Sequence, residues 1–260
     1  MMTRFIQILA LLLLANTACA TPQQLLTELQ QMRLISTNIV TNFYMFTGLD
    51  ADAKYNRKMQ QAIEKFEASM KNANELAEAN NVTGNMASIN SEWQRFSALL
   101  DTNRKDMVSN GFPEVLLVDD MDRSGQQIVK QLTDTYEQVQ ESSGIKPPAA
   151  VEQSRNLALL MEEITSQYTA RATTNLGQVF MGNSERSLEQ MADEFQLGLD
   201  ELQQTLANKG ADNILQNINS KWRFMSNSVK NYNENTVLFL VVSYNDRILM
   251  HLKELEERFQ

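Results

Sequence analysis

Apolar side chains recur along most of the chain at alternating spacings of four and three residues. The clearest run holds Leu25, Leu29, Met32, Ser36, Ile39, Phe43 and Phe46. This spacing keeps one face of an α-helix apolar, and Ser36 is the single polar interruption. The pattern therefore predicts a long first helix whose apolar stripe packs against other helices.

Three more helices are predicted in the first half of the chain. The second runs from about Asp52 to Asn80, with Met59, Phe66 and Met70 facing inward. The inward positions of the third are Met86, Ile89, Trp93, Phe96 and Leu100, and those of the fourth are Val115, Val118, Met121, Ile128 and Leu132. This half is therefore expected to form four consecutive amphipathic helices.

The same pattern then begins again, because short segments of the first half recur in the second half. Residues 44–48 match residues 178–182 at an offset of 134, and Phe66 matches Phe195 at 129. Residues 89–93 match 218–222 at 129, and residues 115–118 match 239–242 at 124. The offset falls only between helices, which indicates a duplicated four-helix unit with shorter loops in the second copy.

Proline and glycine mark the boundary between the two copies. Pro147 and Pro148 follow Gly144, and this combination interrupts a helix. We therefore expect a first unit at residues 21–143, a linker at 144–148 and a second unit at 149–260. Gly48 stands where a helix C-terminal cap belongs. The predicted fold class is all-α, with two tandem antiparallel four-helix bundles.

The first twenty residues have the organisation of a secretory signal peptide. Arg4 precedes an apolar run that is too short to remain as a membrane span, and small residues flank Cys19. These features predict a signal peptide at residues 1–20, with cleavage after Ala20 and export of the chain. The alternative is a lipoprotein acylated on Cys19, although Asn16 stands where such sites carry an aliphatic residue.

The composition narrows the classes of function. The chain has 32 acidic and 23 basic side chains and a net charge of −9, which disfavours nucleic-acid binding. It has one Cys and one His, so zinc sites and most nucleophilic triads are excluded. No phosphate-binding loop or nucleophile-elbow motif is present. We therefore predict a protein without catalytic residues, cofactor or metal. The apolar run at residues 237–242 is too short for a membrane span and predicts a helix start.

Each copy carries a similar set of packing motifs. In the first copy they are residues 32–36, residues 44–48, the Phe-bearing second helix and Trp93; in the second they are residues 168–182, Phe195 and Trp222. With these motifs the unit resembles the PilJ-type sensor domain, the N-terminal domain of type IV pili chemotaxis transducers. It is also similar to the periplasmic sensor domain of nitrate/nitrite histidine kinases. The resemblance implies a four-helix bundle, a periplasmic location and a sensory role.

The resemblance also implies a ligand site. The first helix of these sensors carries a Gln-Arg-Met-Leu-Ser-Gln-Arg-like stretch, whose arginines face an anion in the nitrate-sensing members. Arg33 aligns with the first arginine, Asn38 takes the place of the second, and Arg171 lies one turn beyond the equivalent position of the second copy. We therefore expect ligand contacts from Arg33, Asn38 and Arg171. Taken from the residues alone, Arg33 is either a surface arginine or an anion clamp between helices or across a dimer axis.

Two functions follow from these observations. The first is a non-catalytic periplasmic sensory or adaptor module that binds a small anionic ligand or a membrane chemoreceptor or sensor kinase. Such a module would feed chemosensory or pilus-related signalling, and a homodimer is the arrangement that the resemblance implies. The alternative is a structural or interaction protein of an envelope or pilus assembly, with no small ligand. Trp93 and Trp222 are expected in the helical cores, and the alternative for them is a ligand-stacking wall.

Overall fold

The chain folds into α-helices throughout the residues that the computed structural model describes, which are 2–173, 186–232 and 237–260, with side chains from residue 22. Across these ranges there are eight helices and no strand. They are α1 (Met2–Gly48), α2 (Ala53–Ala77), α3 (Thr83–Asn110), α4 (Val115–Ser143), α5 (Ala149–Thr173), α6 (Leu188–Thr205), α7 (Asp212–Lys230) and α8 (Leu238–Phe259). The all-α prediction is confirmed. The predicted signal peptide with Cys19, and residues 178–182 of the repeat, lie outside the described side chains.

The apolar stripe of α1 forms the centre of the first half of the protein. All seven of its predicted positions expose at most 1% of their surface. The six apolar members belong to a cluster of buried side chains drawn from α1 to α4, to which Ala170 and Val242 from the second half contribute. A second cluster is drawn from α5 to α8. Burial of these side chains is the main force that holds the helices together.

Each tryptophan packs against a phenylalanine in one of these clusters. Trp93 stacks on Phe66 with ring centres 4.0 Å apart, and Trp222 lies against Phe195 with ring centres 4.4 Å apart. Trp93 is 4% exposed and Trp222 is 1% exposed. The expectation that both are core residues is confirmed, and the ligand-stacking alternative for them is wrong, because neither ring is open to solvent.

Side-chain contacts join neighbouring helices within each half, and a different set of contacts joins α1 to α5. The contacts of Asn72 with Glu28, of Asn103 with Leu117 and of Arg155 with Glu256 are compatible with antiparallel neighbours. That α1 and α5 run parallel is shown by contacts of Gln30 with Arg155, Asn38 with Glu162, and Gly48 with Thr173. The α5 residue number exceeds that of its α1 partner by 124 or 125 in every case. The two helices therefore keep one register from Arg155 to Thr173.

Gly48 permits this close approach, and its predicted role as a helix cap is wrong. A Cβ atom built on Gly48 would lie 2.3 Å from the Cβ of Thr173, closer than atoms can pack. The left-handed backbone that a cap requires is found instead at Asp50 and Ala51, whose φ angles are 50° and 61°. The glycine is needed because α1 and α5 pack without room for a side chain at this level.

The apolar run at residues 237–242 begins a packed helix, as predicted. Helix α8 begins at Leu238, and Val241 and Val242 are buried. In the part of the chain that the structure describes, no helix combines the length and the apolar character that crossing a bilayer requires.

Candidate functional site

Helix α5 presents a buried stripe that is mostly polar. Its members, spaced by four and three residues, are Val151, Arg155, Ala158, Glu162, Thr165 and Thr169. None of them is more than 6% exposed. Buried polar groups lose their hydration and must be compensated by partners. The joint between α1 and α5 contains specific polar contacts, because Arg155 and Glu162 of this stripe have partners on α1.

Arg155 is the fully compensated member of this stripe. Its Nε donates to Oε1 of Glu256 on α8 at 2.8 Å, and its Nη1 donates to the hydroxyl of Tyr136 on α4 at 3.0 Å. Its Nη2 reaches the hydroxyl of Thr27 on α1 at 3.2 Å. Burial raises the pKa of Tyr136 to about 12, so the phenol keeps its proton and donates to Glu152 at 2.8 Å. This network joins α1, α4, α5 and α8. All three nitrogens of the Arg155 guanidinium donate hydrogen bonds in it, which indicates a structural role.

Arg33 lies against the ring of the same tyrosine. It is 4% exposed, its guanidinium carbon lies 4.2 Å from the centre of the Tyr136 ring, and one of its terminal nitrogens donates to Gln30. Its Nε has no hydrogen-bond partner, and no carboxylate of the described residues lies within ion-pair distance. Burial removes the guanidinium from water, and this lowers the pKa of Arg33. The alternative of a surface arginine is wrong: Arg33 is a buried cation stacked between helices.

Asn38 is the predicted site residue that bridges α1 to α5. Its Nδ2 donates to Oε1 of Glu162 at 3.1 Å, and its Oδ1 accepts from Nδ2 of Asn42 at 2.8 Å. The second carboxyl oxygen of Glu162, Oε2, is buried and has no partner among the described residues. Asn38 therefore binds one oxygen of the Glu162 carboxyl, and the other oxygen makes no hydrogen bond to a described residue.

The environment of Glu162 favours its neutral form. The residue is 2% exposed, and burial raises its pKa to about 8, although the hydrogen bond from Asn38 lowers it. Asp246 on α8 adds to the rise and Lys58 on α2 opposes it. Asn245 lies near enough to lower the pKa slightly, yet neither of its amide atoms reaches hydrogen-bond geometry. At neutral pH the carboxyl is therefore mostly protonated, and a protonated carboxyl is a hydrogen-bond donor.

Beside Glu162 lies a pocket of about 250 Å³, which we call the joint pocket. It is lined by Leu34, Ile35, Asn38, Lys58, Gln61, Ala62, Lys65 and Glu162, from α1, α2 and α5. Lys58 is paired with Asp246 at 2.8 Å, whereas Lys65 has no ion-pair partner in the described ranges. The pocket thus combines an aliphatic wall, one uncompensated cation and one unpartnered buried carboxyl.

The structure does not bring the three predicted ligand residues together. Asn38 lines the joint pocket, whereas Arg33 is stacked on Tyr136 and is not among the lining residues. The guanidinium carbon of Arg171 lies 4.6 Å from the ring centre of Tyr232. By the register of α1 and α5, Arg171 is about 13 residues beyond the level of Arg33, or roughly 20 Å along the helices. One shared site for all three is therefore not formed within this chain.

Sequence reasoning missed Lys58, Lys65 and Glu162. Glu162 does give a signal, because a charged residue in a four-three stripe predicts a polar contact with another helix. Lys58 and Lys65 are seven residues apart and so share a face of α2, but lysines at that spacing are common on exposed helix faces. Only the packing of α2 against α1, which brings both lysines to the lining of the joint pocket, distinguishes these two from the other lysines.

Comparison with protein-family models, with curated proteins and with solved structures finds no match to this chain.

Proposed function

We propose that this chain is an exported, non-catalytic sensory or adaptor module that binds a small anionic ligand in the joint pocket. The observation that carries the proposal is the pocket itself, which places the uncompensated Lys65 and the unpartnered carboxyl of Glu162 beside the predicted site residue Asn38. Cationic and protonated groups that converge on one concave site favour an anion there.

We further propose that the module consists of two tandem antiparallel four-helix bundles, at residues 21–143 and 149–260. Two clusters of buried apolar side chains support this division, one drawn mainly from α1 to α4 and the other from α5 to α8. The contacts between neighbouring helices, which are compatible with antiparallel packing, support it as well. The linker at 144–148 contains the only non-helical residues between α4 and α5 in the described structure.

The position of the pocket suggests how binding would be transmitted. Its lining comes from α1 and α2 of the first half and from α5 of the second. A ligand that contacts both halves shifts any equilibrium in which their spacing differs, by as much as its affinity differs between the two states. A membrane chemoreceptor or sensor kinase of the kind implied by the PilJ resemblance would then respond to the altered joint.

A thermal-shift screen with nitrate, nitrite and small carboxylates tests the proposal. A ligand that binds only the folded state adds about 2.7 kcal/mol of stability at a hundred times its Kd, so its Tm shift is readily measured. Lys65→Met should reduce the shift, and Lys71→Met, which removes an exposed lysine of α2 outside the pocket, should preserve it. If no anion changes the Tm, the proposal fails and the structural or interaction role in an envelope or pilus assembly is favoured.

A further inference from the structure

The contents of the joint pocket identify the chemical class of the ligand more closely. We propose that it takes a small monocarboxylate with a short aliphatic chain, whose carboxylate lies between the ammonium of Lys65 and the carboxyl of Glu162. This inference rests on the proposed function, since it concerns the same site.

The charges around the pocket favour a single negative charge on the ligand. Lys58 and Asp246 already neutralise each other at 2.8 Å. Lys65 adds one positive charge, and the protonated Glu162 adds none. A monoanion therefore neutralises the site, whereas a dianion would leave a partly buried charge without a partner.

The lining also argues for an organic ligand of small size. Leu34, Ile35 and Ala62 form an aliphatic wall that nitrate would leave uncovered, and a short alkyl chain would bury it. The volume of about 250 Å³ lies just below the range of roughly 300–1,000 Å³ typical of pockets for drug-sized ligands. These two facts favour a carboxylic acid with a few carbon atoms.

The protonated carboxyl of Glu162 carries a hydrogen-bond donor that has no acceptor among the described residues. Its Oε1 accepts from Asn38, so a proton on the carboxyl resides on the buried and unpartnered Oε2. A carboxylate ligand would accept that proton in a short, charge-assisted hydrogen bond. The charged groups that act on Glu162 are Lys58 on α2 and Asp246 on α8, and the amides of Asn38 on α1 and Asn245 on α8 lie beside it. Lys65 lines the same pocket.

This arrangement makes binding depend on pH. The ligand is already ionised above its own ordinary carboxyl pKa, so the proton that both carboxyl groups share is the one on Glu162. When Glu162 loses that proton, two carboxylates meet and repel each other. Affinity should therefore fall as the pH rises beyond about 8, the pKa of the free Glu162 carboxyl.

Calorimetric titration with sodium butyrate, at pH about 6.5 and about 9, tests the inference on the full exported chain. Butyrate should bind at the lower pH and lose most of its affinity at the higher one. Lys65→Met should weaken binding roughly tenfold or more, because it removes a charge-assisted contact. Lys71→Met should not weaken it. Glu162→Gln, which keeps a neutral donor that does not titrate, should bind at both pH values.

The other outcomes separate this inference from the proposed function. Nitrate or succinate binding as tightly as butyrate would refute the monocarboxylate assignment and leave an anion-binding module standing. Binding of butylamine in place of butyrate would reverse the sign of the ligand and refute both proposals. Butyrate binding that is unchanged in Lys65→Met, and that still weakens at pH about 9 in Glu162→Gln, would place the site elsewhere. Absence of heat with every anion would refute both.

Discussion

The replacement Glu162→Gln should make the protein's stability less dependent on pH. In the folded chain the pKa of Glu162 is raised by burial from an ordinary 4.5 to about 8. Folding therefore takes up a proton between these two values. At about 1.36 kcal/mol per pKa unit, the gap corresponds to about 5 kcal/mol.

The sign of the effect follows from which state binds the proton more tightly. Below about pH 4.5 both states are protonated, and the contribution of Glu162 is fully present. As the pH rises towards 8 the unfolded state ionises freely while the folded state does not, so the free energy of unfolding falls. Above about 8 the folded state must hold a buried carboxylate, and the loss of about 5 kcal/mol is complete.

Urea unfolding of the wild type and of Glu162→Gln, at steps from about pH 5 to about pH 9, measures this directly. Glutamine is neutral at every pH. The free energy of unfolding of the variant should therefore rise steadily relative to that of the wild type as the pH rises. Asp122, whose pKa burial raises to about 6, is present in both proteins and cancels in the difference. Glu67→Gln, at an exposed position of α2, is the matched control and should show no trend. A difference that stays constant over the whole range would refute the reasoning.

Three further substitutions and one control test the packing. Trp222→Ala should cost roughly 3–5 kcal/mol in urea unfolding, because the ring is enclosed against Phe195, and a loss below about 1 kcal/mol would contradict that enclosure. Arg155→Met should cost about 3–5 kcal/mol, since it leaves Glu256 as a largely buried carboxylate without its cation; retention of full stability would show that the network is dispensable. Gly48→Ala should lower the Tm, because its Cβ would collide with Thr173, whereas Gly84→Ala, which meets nothing within 4 Å, should raise it by the ordinary helix propensity of alanine. Equal shifts for the two glycine variants would argue against the close approach of α1 and α5.

Much of the fold could be predicted from the sequence because each helix carries its own pattern. The stripe from Leu25 to Phe46 is local information, and all its members are buried as expected. Phe66 and Trp93 recur as Phe195 and Trp222 at one offset, which predicts core positions for both pairs, and in the structure the two rings of each pair are in contact. In each case the physical cause, burial of an apolar face, is encoded in the segment itself.

The candidate site was less predictable because its partners come from different helices. Asn38 was identified through a resemblance, but its contact with Glu162 depends on how α1 and α5 are aligned. That alignment pairs residues whose numbers differ by 124 or 125. A repeat offset identifies equivalent positions in the two copies and does not predict which residues of two helices lie side by side. Arg33 was expected to hold a ligand or to face solvent, and stacking on Tyr136 depends on the placement of α4.

The parallel contact between α1 and α5 has a consequence for how the two halves behave at low concentration. Bundles of separate chains that meet through such helices come apart on dilution, because their association is bimolecular. Here the two helices belong to one chain, in which residues 144–148 connect α4 to α5. The effective concentration of one half around the other is therefore fixed and does not depend on the protein concentration. The contact between α1 and α5 can therefore stay closed at any protein concentration.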